Sequence, residues 1–284
     1  MSVKMPAAAT QVSPIWQRST GRTLTVLAPV TTLAAETPNV FRSIQHNPDR
    51  YEELLAGMQR LRGSVYLRDG AIQAAELTAD GRHISRFDRH SWHVLTLDRD
   101  GQVCGCARYT SHGSGAAYVN LGVRSAALAG RPDWRDKVQA AVETEIATAD
   151  RKGVAFVEVG GWALDGSARC TSEAVRIALS AYALSRNLGG CVGLTTATVR
   201  HDSATILQKI GGRPLRFDGT PLPSYYDPRY ECEMTILSFD SSEPNPRYEP
   251  WIEVLREELT TVRVITSATP KVATASPRAL IAYA

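Results

Sequence analysis

The sequence predicts a mixed α/β domain in which helices flank a single β-sheet. Its second half alternates densely apolar β-type segments with amphipathic helical segments, and its first half contains two β-rich segments joined by an Asp-Gly turn. Such alternation is typical of a sheet covered by helices, and the hairpin adds antiparallel pairing. The chain has 284 residues, 43% of them hydrophobic, which suffices for one large domain with a complete core.

The first half predicts three strands and one helix. A β-type segment covers residues 24–30, and apolar residues at three- and four-residue spacing predict a helix over residues 48–61. Two β-rich segments follow at residues 92–97 and 102–110. Residues 98–101 between them end in Asp-Gly, which predicts a hairpin.

The second half predicts the strand–helix alternation itself. Helices are expected over residues 132–150, 171–187, 203–210 and 249–260, and strands over residues 154–164, 191–199 and 230–239. Thr171 or Ser172 can cap the second of these helices, and Gly189 and Gly190 end it. Asp202 is the expected cap of the third.

Both ends of the sequence differ in composition from the middle. The first residues lack acidic side chains and are rich in Ala, Thr and Ser, and the segment from Thr266 onward is rich in Ser, Thr, Ala and Pro. We therefore expect a flexible leader over residues 1–22, a single domain over 23–262 and a flexible tail over 263–284. No apolar stretch approaches the ~20 residues that a membrane-spanning helix needs.

The charge and the cysteines argue against several classes of function. A net charge of +3, with no run of Lys or Arg longer than two, argues against nucleic-acid binding. The five cysteines form no CxxC pair, and His90, His93 and His201 lack the HExxH spacing of a zinc site, so we expect no bound metal. An odd number of cysteines is typical of a reducing compartment, which predicts a cytoplasmic protein.

The candidate catalytic centre lies in the strand predicted at residues 154–164. It carries the carboxylate of Glu158, two consecutive glycines, Gly160 and Gly161, and then Trp162. A carboxylate in a buried strand is costly unless it is paired or used, and consecutive glycines favour a bulge or a close backbone approach to a ligand. We expect the strand to splay there, so that its free N–H and C=O groups can bind the amide-bearing arm of a cofactor.

Glu158 has two interpretations. Burial disfavours the charged carboxylate and raises its pKa, so Glu158 could accept the proton of an attacking amine. Alternatively, Glu158 pairs with a buried arginine such as Arg108 and only supports the fold. Arg108 itself lies among small and apolar residues of a predicted strand, where an inward guanidinium needs a carboxylate partner.

The turn after this strand leads into a predicted helix and is the candidate phosphate site. Unpaired N–H groups and the positive end of the helix dipole attract anions, and an arginine in the turn adds charge. Ordinary helix capping is the alternative. The expected cofactor-binding residues are Leu164, Ser167, Ala168, Arg169, Cys170 and Thr171.

Two polar features elsewhere are further candidates. Tyr225 and Tyr226 belong to an aromatic loop that precedes the strand predicted at residues 230–239. This loop either lines a pocket for an acyl chain or an acceptor, or covers the edge of the sheet. Arg62, close to the end of the first predicted helix, either binds substrate or is a solvated helix end.

Residues 198–212 resemble part of the GNAT acyltransferase pattern, in which a strand leads into a small helix that ends in Lys-x-Gly. Here Lys209 precedes Gly211 and Gly212, but Leu207 stands where the family usually has a general-acid tyrosine. The usual Arg/Gln-x-x-Gly-x-Gly/Ala phosphate loop is also replaced, by residues 165–171.

Four further motifs resemble a side branch of that superfamily, the acyl-homoserine-lactone (autoinducer) synthases and the related N-acyl amino acid synthases. They are Arg62-x-x-Val65-Tyr66, Asp88-x-x-Ser91, Gly105-x-x-Arg108 and Glu158-x-Gly160, after which the branch pattern has an arginine in place of Gly161. Ser85 and Ile72 stand where lactone synthases have an acidic residue and a tryptophan that help to hold S-adenosylmethionine. The resemblance therefore favours the N-acyl amino acid branch.

The resemblance implies a GNAT-like fold, a mixed and mostly antiparallel twisted sheet that is splayed at its central strand and flanked by helices. It also implies an acyltransferase that moves a long-chain acyl group from an acyl carrier protein or coenzyme A thioester onto the amine of an amino acid or similar small molecule. No cofactor would be bound permanently. The alternatives are an ordinary acetyltransferase that uses acetyl-CoA and a non-catalytic module that binds an acyl ligand.

The motifs and the residue chemistry together give an expected site. Its catalytic residues are Glu158, Gly160, Gly161, Trp162 and Arg108, and its substrate-binding residues are Arg62, Tyr66, Asp88, Tyr225 and Tyr226. The backbone around residues 160–162 is expected to polarise the thioester carbonyl. A carrier protein would need a basic patch near the phosphate turn, for which the candidates are Arg151, Lys152, Arg169 and Arg176. These charges could also be ordinary solvated surface.

Overall fold

The computed structural model describes residues 21–113, 115–168 and 171–269, which form one ten-stranded sheet with helices on both faces and a separate two-stranded sheet. The α-helices are α1 (Pro48–Arg68), α2 (Ala127–Gly130), α3 (Arg135–Lys152), α4 (Glu173–Asn187), α5 (Ser203–Ile210) and α6 (Glu249–Thr261). The strands are β1 (Thr23–Leu27), β2 (Ser43–His46), β3 (Trp92–Leu97), β4 (Val103–Ser111), β5 (Ala155–Leu164), β6 (Cys191–Thr198), β7 (Arg213–Pro214), β8 (Arg216–Phe217), β9 (Thr220–Pro221), β10 (Tyr225–Asp227), β11 (Cys232–Asp240) and β12 (Arg263–Thr266).

The large sheet has the strand order β10-β11-β6-β5-β4-β3-β1-β12-β2, and β7 also pairs with β11. Three neighbouring pairs are parallel, namely β5 with β6, β1 with β12 and β12 with β2. The other pairs are antiparallel, including the predicted hairpin of β3 and β4. The predicted mixed and mostly antiparallel sheet is therefore confirmed.

One face of the sheet packs against α4 and α6. Because side chains alternate along a strand, Val94 and Val157 point to this face, where they join Leu179 of α4 and Leu255 of α6 in one apolar cluster. All four side chains are buried. This face is continuous and apolar.

The opposite face is covered by α1 and α3. Asn47 caps α1 by accepting the Arg50 N–H at 3.0 Å, and Pro48 occupies the first turn, where no N–H is needed. The α1 side chains pack with Leu95, and the α3 side chains pack with Phe156 in a second cluster. Polar residues of β4 and β5 lie between these two apolar clusters, and the candidate site is built there.

Most predicted elements agree with the structure. The bounds of β3 and α5 coincide with the prediction, and Gly101 closes the predicted hairpin with a backbone φ of +76°. Helix α1 continues to Arg68 rather than ending at residue 61. Asp202 stands before α5 but makes no capping hydrogen bond, because its own backbone is left-handed, with φ of +58°.

The predicted domain limits need one correction. Residues 263–266, expected to begin a flexible tail, form β12 and pair with both β1 and β2. Their two apolar side chains, Val264 and Ile265, are buried. The rest of the tail prediction from residue 270, and the leader prediction for residues 1–20, lie outside the described residues. Within the described part of the chain, no helix combines the length and apolarity needed to cross a membrane.

Candidate functional site

A β-bulge interrupts the pairing of β5 with β4 at the two predicted glycines. The register shifts between Cys106 and Arg108, so Gly161 and Trp162 of β5 stand opposite Ala107 alone. Gly161 has a backbone φ of +62°, a left-handed conformation that residues with a Cβ rarely adopt. A Cβ at this position would also lie 3.2 Å from the Arg108 Cβ. The predicted bulge is therefore confirmed, and both its backbone and its surroundings favour glycine.

Strand β5 separates from β6 at the same level of the sheet. Their parallel pairing covers four residue pairs and ends at Glu158 and Leu194. Beyond this point β5 continues to Leu164 and β6 continues to Thr198 with no register between them in the described residues. The backbone of residues 159–164 therefore faces the opening with N–H and C=O groups that a ligand can bind. This is the splayed strand that the sequence predicts.

Arg62 and Asp88 form a buried ion pair beside the bulge. The Nη1 and Nη2 atoms of Arg62 donate to Oδ1 and Oδ2 of Asp88 at 2.9 and 2.6 Å, and both side chains are 1% exposed. Nη2 also donates to the His83 carbonyl at 2.5 Å. A Cβ on Gly161 would lie 3.3 Å from Arg62 Nη1, so the pair packs directly against the bulge. Both were expected to bind substrate, but here they bind each other and are closed to solvent.

Further donors satisfy the Asp88 carboxylate. Gln59 Nε2 at 3.1 Å and the Ser85 N–H at 2.9 Å both donate to Oδ2. Burial alone raises the pKa of Asp88, but the hydrogen bonds and charge of Arg62 outweigh it and hold that pKa at about 2. Asp88 is therefore ionised throughout the physiological pH range.

The low pKa of Asp88 predicts an acid-dependent loss of stability. A carboxylate with a lower pKa in the folded chain stabilises the fold fully above its unfolded pKa of 3.8, and the contribution is lost as the pH falls through about 2. Its size is on the order of 2 kcal/mol. Urea unfolding measured at several acidic pH values should show this loss in the unmodified chain and a smaller one in Asp88→Asn. An identical pH dependence in both proteins would contradict the assignment.

Among the described residues, Arg108 has fewer hydrogen-bond partners than Arg62 and keeps free donors. Its Nη1 donates to Ser85 Oγ at 2.9 Å and lies 3.6 Å from Asp88 Oδ1, and its guanidinium carbon lies 5.3 Å from the centre of the Phe87 ring. Its Nε is buried without a hydrogen-bond partner in the described residues. Burial, followed by the charge of Arg62, lowers the pKa of Arg108. The expected carboxylate partner is therefore Asp88, at a distance that leaves most of the guanidinium unpaired.

Glu158 binds the segment that follows β4 rather than an arginine. Its Oε2 accepts the Gly122 N–H at 2.8 Å and lies 3.1 Å from His112 Nε2, and its Oε1 accepts the Val123 N–H at 2.8 Å. Burial alone raises the pKa of Glu158, but these hydrogen bonds outweigh it, and the pKa lies below its ordinary value. The expected rise in this pKa is wrong, because the donors favour the charged carboxylate.

The sequence analysis does not identify the partners of Glu158. Alternation along β4 places Arg108, Thr110 and His112 on one face, so the period of two continued past the strand is a signal for His112. Gly122 and Val123 bind through backbone N–H groups, for which the sequence gives no signal. They converge with β5 only because residues 118–126 fold back over the sheet.

The predicted tyrosines have different environments. Tyr66 of α1 packs against the His83 ring with centroids 5.5 Å apart, and burial raises its pKa well above the ordinary value. Tyr225 is buried in the same apolar cluster as Phe156, and its hydroxyl has no partner in the described residues. Tyr226 is 57% exposed on the edge strand β10, which agrees with the edge-covering alternative rather than with a pocket.

The predicted phosphate turn is partly occupied by its own contacts. Leu164 and Ala168 are buried in an apolar cluster, and Ser167 accepts hydrogen bonds from Arg22 at 3.0 Å. Thr171 Oγ1 accepts the Glu173 N–H at 3.2 Å, whereas Ser172, the residue directly before α4, makes no side-chain capping hydrogen bond. The predictions for Arg169 and Cys170 lie outside the described residues.

Of the four residues expected in a basic patch, two are paired with carboxylates, Arg151 is exposed, and Arg169 lies outside the described residues. Arg176 is buried and forms two ion pairs. Its Nη2 lies 2.5 Å from Glu258 Oε1, and its Nη1 lies 3.5 Å from Glu173 Oε1. Lys152 pairs with Asp240 and Glu243. These charges are neutralised by neighbours and so offer little to an acidic partner. In the described residues, no group of three or more His, Cys, Asp or Glu side chains is placed to hold a metal ion.

Comparison with known proteins identifies the fold. No family model and no curated protein matches the sequence. The structure of a CoA-dependent acyl-homoserine lactone synthase, BjaI, with SAM and isopentyl-CoA matches at 13% identity over 89% of this chain and 96% of that chain, with a TM-score of 0.52. The same synthase with MTA gives the same values. FeeM, an N-acyl amino acid synthase from uncultured soil microbes, matches at 12% identity over 70% of this chain and 89% of that chain, with a TM-score of 0.46.

At 13% identity, the match to BjaI shows a shared fold. The chain therefore has the GNAT-like fold of the acyl-homoserine lactone synthases, as the motifs imply. The match spans almost all of that protein. The chemistry of the site has to be argued from its own residues.

Proposed function

From this fold and site, we propose that the chain is an N-acyltransferase. It moves an acyl group from a coenzyme A or acyl carrier protein thioester onto the amine of an amino acid or similar small molecule. The observation that carries the proposal is the opening between β5 and β6 beyond Glu158, at the level of the Gly161 bulge. Arg108 and Glu158 lie on the same face of the sheet beside it, because the cross-strand pairs align Arg108 with Gly160 and Thr110 with Glu158.

The opening suits a thioester with a pantetheine arm. The amides of that arm can pair with the free backbone groups of residues 159–164, as an added strand would. The thioester carbonyl would then lie at the bulge, where the backbone N–H groups near Gly161 and Trp162 can polarise it. One such donor is worth about 3–4 kcal/mol of transition-state stabilisation.

The acceptor would be held by charge on the site's polar face. The unpaired donors of Arg108 can bind a carboxylate, which favours an amino acid as the acceptor. Arg62 does not take this role because both of its terminal nitrogens already bind Asp88 and one of them also binds the His83 carbonyl. Glu158, kept ionised by its donors, would accept a hydrogen bond from the amine and stabilise the positive charge that develops on nitrogen.

The reaction then balances without a covalent enzyme intermediate. The amine nitrogen attacks the thioester carbonyl, the C–N bond forms and the C–S bond breaks. The proton lost from nitrogen passes to the leaving thiolate or to water, and the products are an amide and a free thiol.

Replacing Glu158 with glutamine should lower turnover by about 100-fold or more, because the charge that assists the amine is lost. A glutamine amide would also face the Gly122 or Val123 N–H, so a loss of stability of about 1–3 kcal/mol is expected with it. Thermal melting separates the two effects, and Glu233→Gln, at an exposed position of β11, is the matched control.

The assay combines expression in a bacterial host with mass spectrometry of extracts and thiol release by the purified protein. Donors from acetyl to long-chain thioesters, on coenzyme A and on a carrier protein, are offered with a panel of amino acids. Turnover of acetyl-CoA alone would favour an ordinary acetyltransferase. Thioester binding without turnover of any pair would favour a non-catalytic module and refute the proposal.

A further inference from the structure

Three donors surround the Glu158 carboxylate and leave one side of it open. An ionised carboxylate has about four acceptor positions on its two oxygens. Gly122 and His112 occupy both acceptor positions of Oε2, and Val123 occupies one of the two acceptor positions of Oε1. Because a carboxylate cannot donate, His112 Nε2 must carry the hydrogen in this contact. Among the described residues, one acceptor position, on Oε1, remains for an incoming donor.

The surroundings of His112 fix its ring in place. The backbone N–H of His112 continues the β4–β5 ladder by donating to the Phe156 carbonyl at 2.9 Å. Its ring packs beside the Phe156 ring, with centroids 6.3 Å apart, and the side chain is 12% exposed. Gly113 follows with a left-handed backbone, so the chain turns away directly after the histidine. The imidazole is therefore held by strand pairing on one side and by an aromatic contact on the other.

The Glu158 carboxylate and Arg108 are both neighbours of Phe87. A Cβ on Gly122 would lie 3.3 Å from Phe87 Cε2 and 3.4 and 3.5 Å from Glu158 Oε1 and Oε2. The Phe87 ring in turn lies 5.3 Å from the Arg108 guanidinium carbon. The arginine with free donors and the carboxylate with a free acceptor are therefore on the same part of the surface around Phe87. A molecule with one anionic and one amino group could bridge the two.

We propose that His112 is a positioning residue for acyl transfer. By binding Oε2, it leaves Oε1 as the single open acceptor of Glu158 and aims the carboxylate at the amine. This inference rests on the proposed function, since the amine is the substrate that Glu158 would meet. It assigns His112 no direct contact with the substrate.

The test compares His112→Ala with His112→Gln. The glutamine can place a side-chain N–H near the position of Nε2, whereas alanine removes the donor. For His112→Ala, kcat should fall about tenfold or more, as expected for a lost hydrogen bond to a charged group, with the KM for the thioester unchanged. His112→Gln should recover most of this loss. His46→Gln, at an exposed position of β2 on the far edge of the sheet, is the control.

A second measurement does not depend on activity. Carbon-13 NMR of glutamate side-chain carboxyls follows the titration of Glu158, identified by its absence from the Glu158→Gln spectrum. Loss of the His112 donor should raise the pKa of Glu158 in His112→Ala, and His112→Gln should restore part of the lowering. Both variants should keep the melting temperature of the unmodified chain to within a few degrees.

The outcomes separate the two proposals. An unchanged kcat in His112→Ala would overturn the positioning role, and so would equal losses in both variants, because the ring itself would then be required. A Glu158 pKa that does not respond to either change would also overturn it. If the unmodified chain turns over no thioester while the pKa shifts as expected, the proposed function fails and the His112–Glu158 coupling stands.

Discussion

Replacing Asp88 with alanine is expected to lower the free energy of unfolding by about 3–5 kcal/mol. The change leaves Arg62, a 1% exposed guanidinium, without the carboxylate that binds it through two hydrogen bonds. The Gln59 amide and the Ser85 N–H lose their acceptor at the same time. Chemical denaturation of the purified variant measures the loss.

Matched variants show whether the buried charge is the cause. Asp80→Ala removes an exposed carboxylate from the neighbouring turn and should change stability far less than Asp88→Ala does, because water screens a surface ion pair. Adding Arg62→Met to Asp88→Leu removes the buried ion pair and should recover part of the stability lost in Asp88→Ala, because Arg62 is no longer a buried unpaired charge. The recovery should be incomplete, because Arg108 still lacks the carboxylate that lies 3.6 Å from it. A double variant no more stable than Asp88→Ala would show that the loss has another origin.

Replacing Gly161 with alanine should lower turnover about 100-fold or more if the chain acts as proposed. The added Cβ is strained at a backbone φ of +62° and would lie 3.2 Å from the Arg108 Cβ and 3.3 Å from Arg62 Nη1. The bulge must therefore shift, and its N–H groups move relative to the thioester carbonyl. Loss of one such donor typically costs about 100- to 1000-fold in kcat.

Gly160→Ala is the control for this change. It adds the same methyl group to the adjacent position, but its backbone φ is not in the left-handed region, and its nearest neighbour, Arg108 Nη2, would lie at an ordinary 3.5 Å. We expect a much smaller loss of kcat than in Gly161→Ala. Equal losses in the two variants would mean that bulk near Arg108, rather than the geometry of the bulge, decides the rate.

The elements that the sequence predicts well have strong local signals. β5 is a dense apolar segment interrupted by two glycines, and α5 ends at Gly211, so their bounds and the bulge follow from residue type and period. β2 and β12 have only four residues each and form parallel pairs with distant parts of the chain. Short strands of that kind are defined by their partners, which local patterns do not reveal.

The same distinction applies to the site. Glu158, Arg108 and the glycines of the bulge were found because their residue types are unusual in a buried strand. The sequence does not predict that the pKa of Glu158 is lowered. That shift depends on the N–H groups of Gly122 and Val123, which lie far from Glu158 along the chain. Likewise, the motifs that contain Arg62 and Asp88 imply substrate binding. Only the distance between the two side chains shows that they bind each other.

Because β12 lies close to the end of the described chain, one edge of the sheet can form only late in chain synthesis. Ser43 pairs with Arg263, and within the described residues β2 is joined to the sheet through β12 alone. During translation, β2 must therefore wait until residues 263–266 have been made before it gains a strand partner. Contacts so distant in sequence close late and slow folding. This edge of the sheet is thus expected to be the last part to assemble, after the strands around the Gly161 bulge have already found their neighbours.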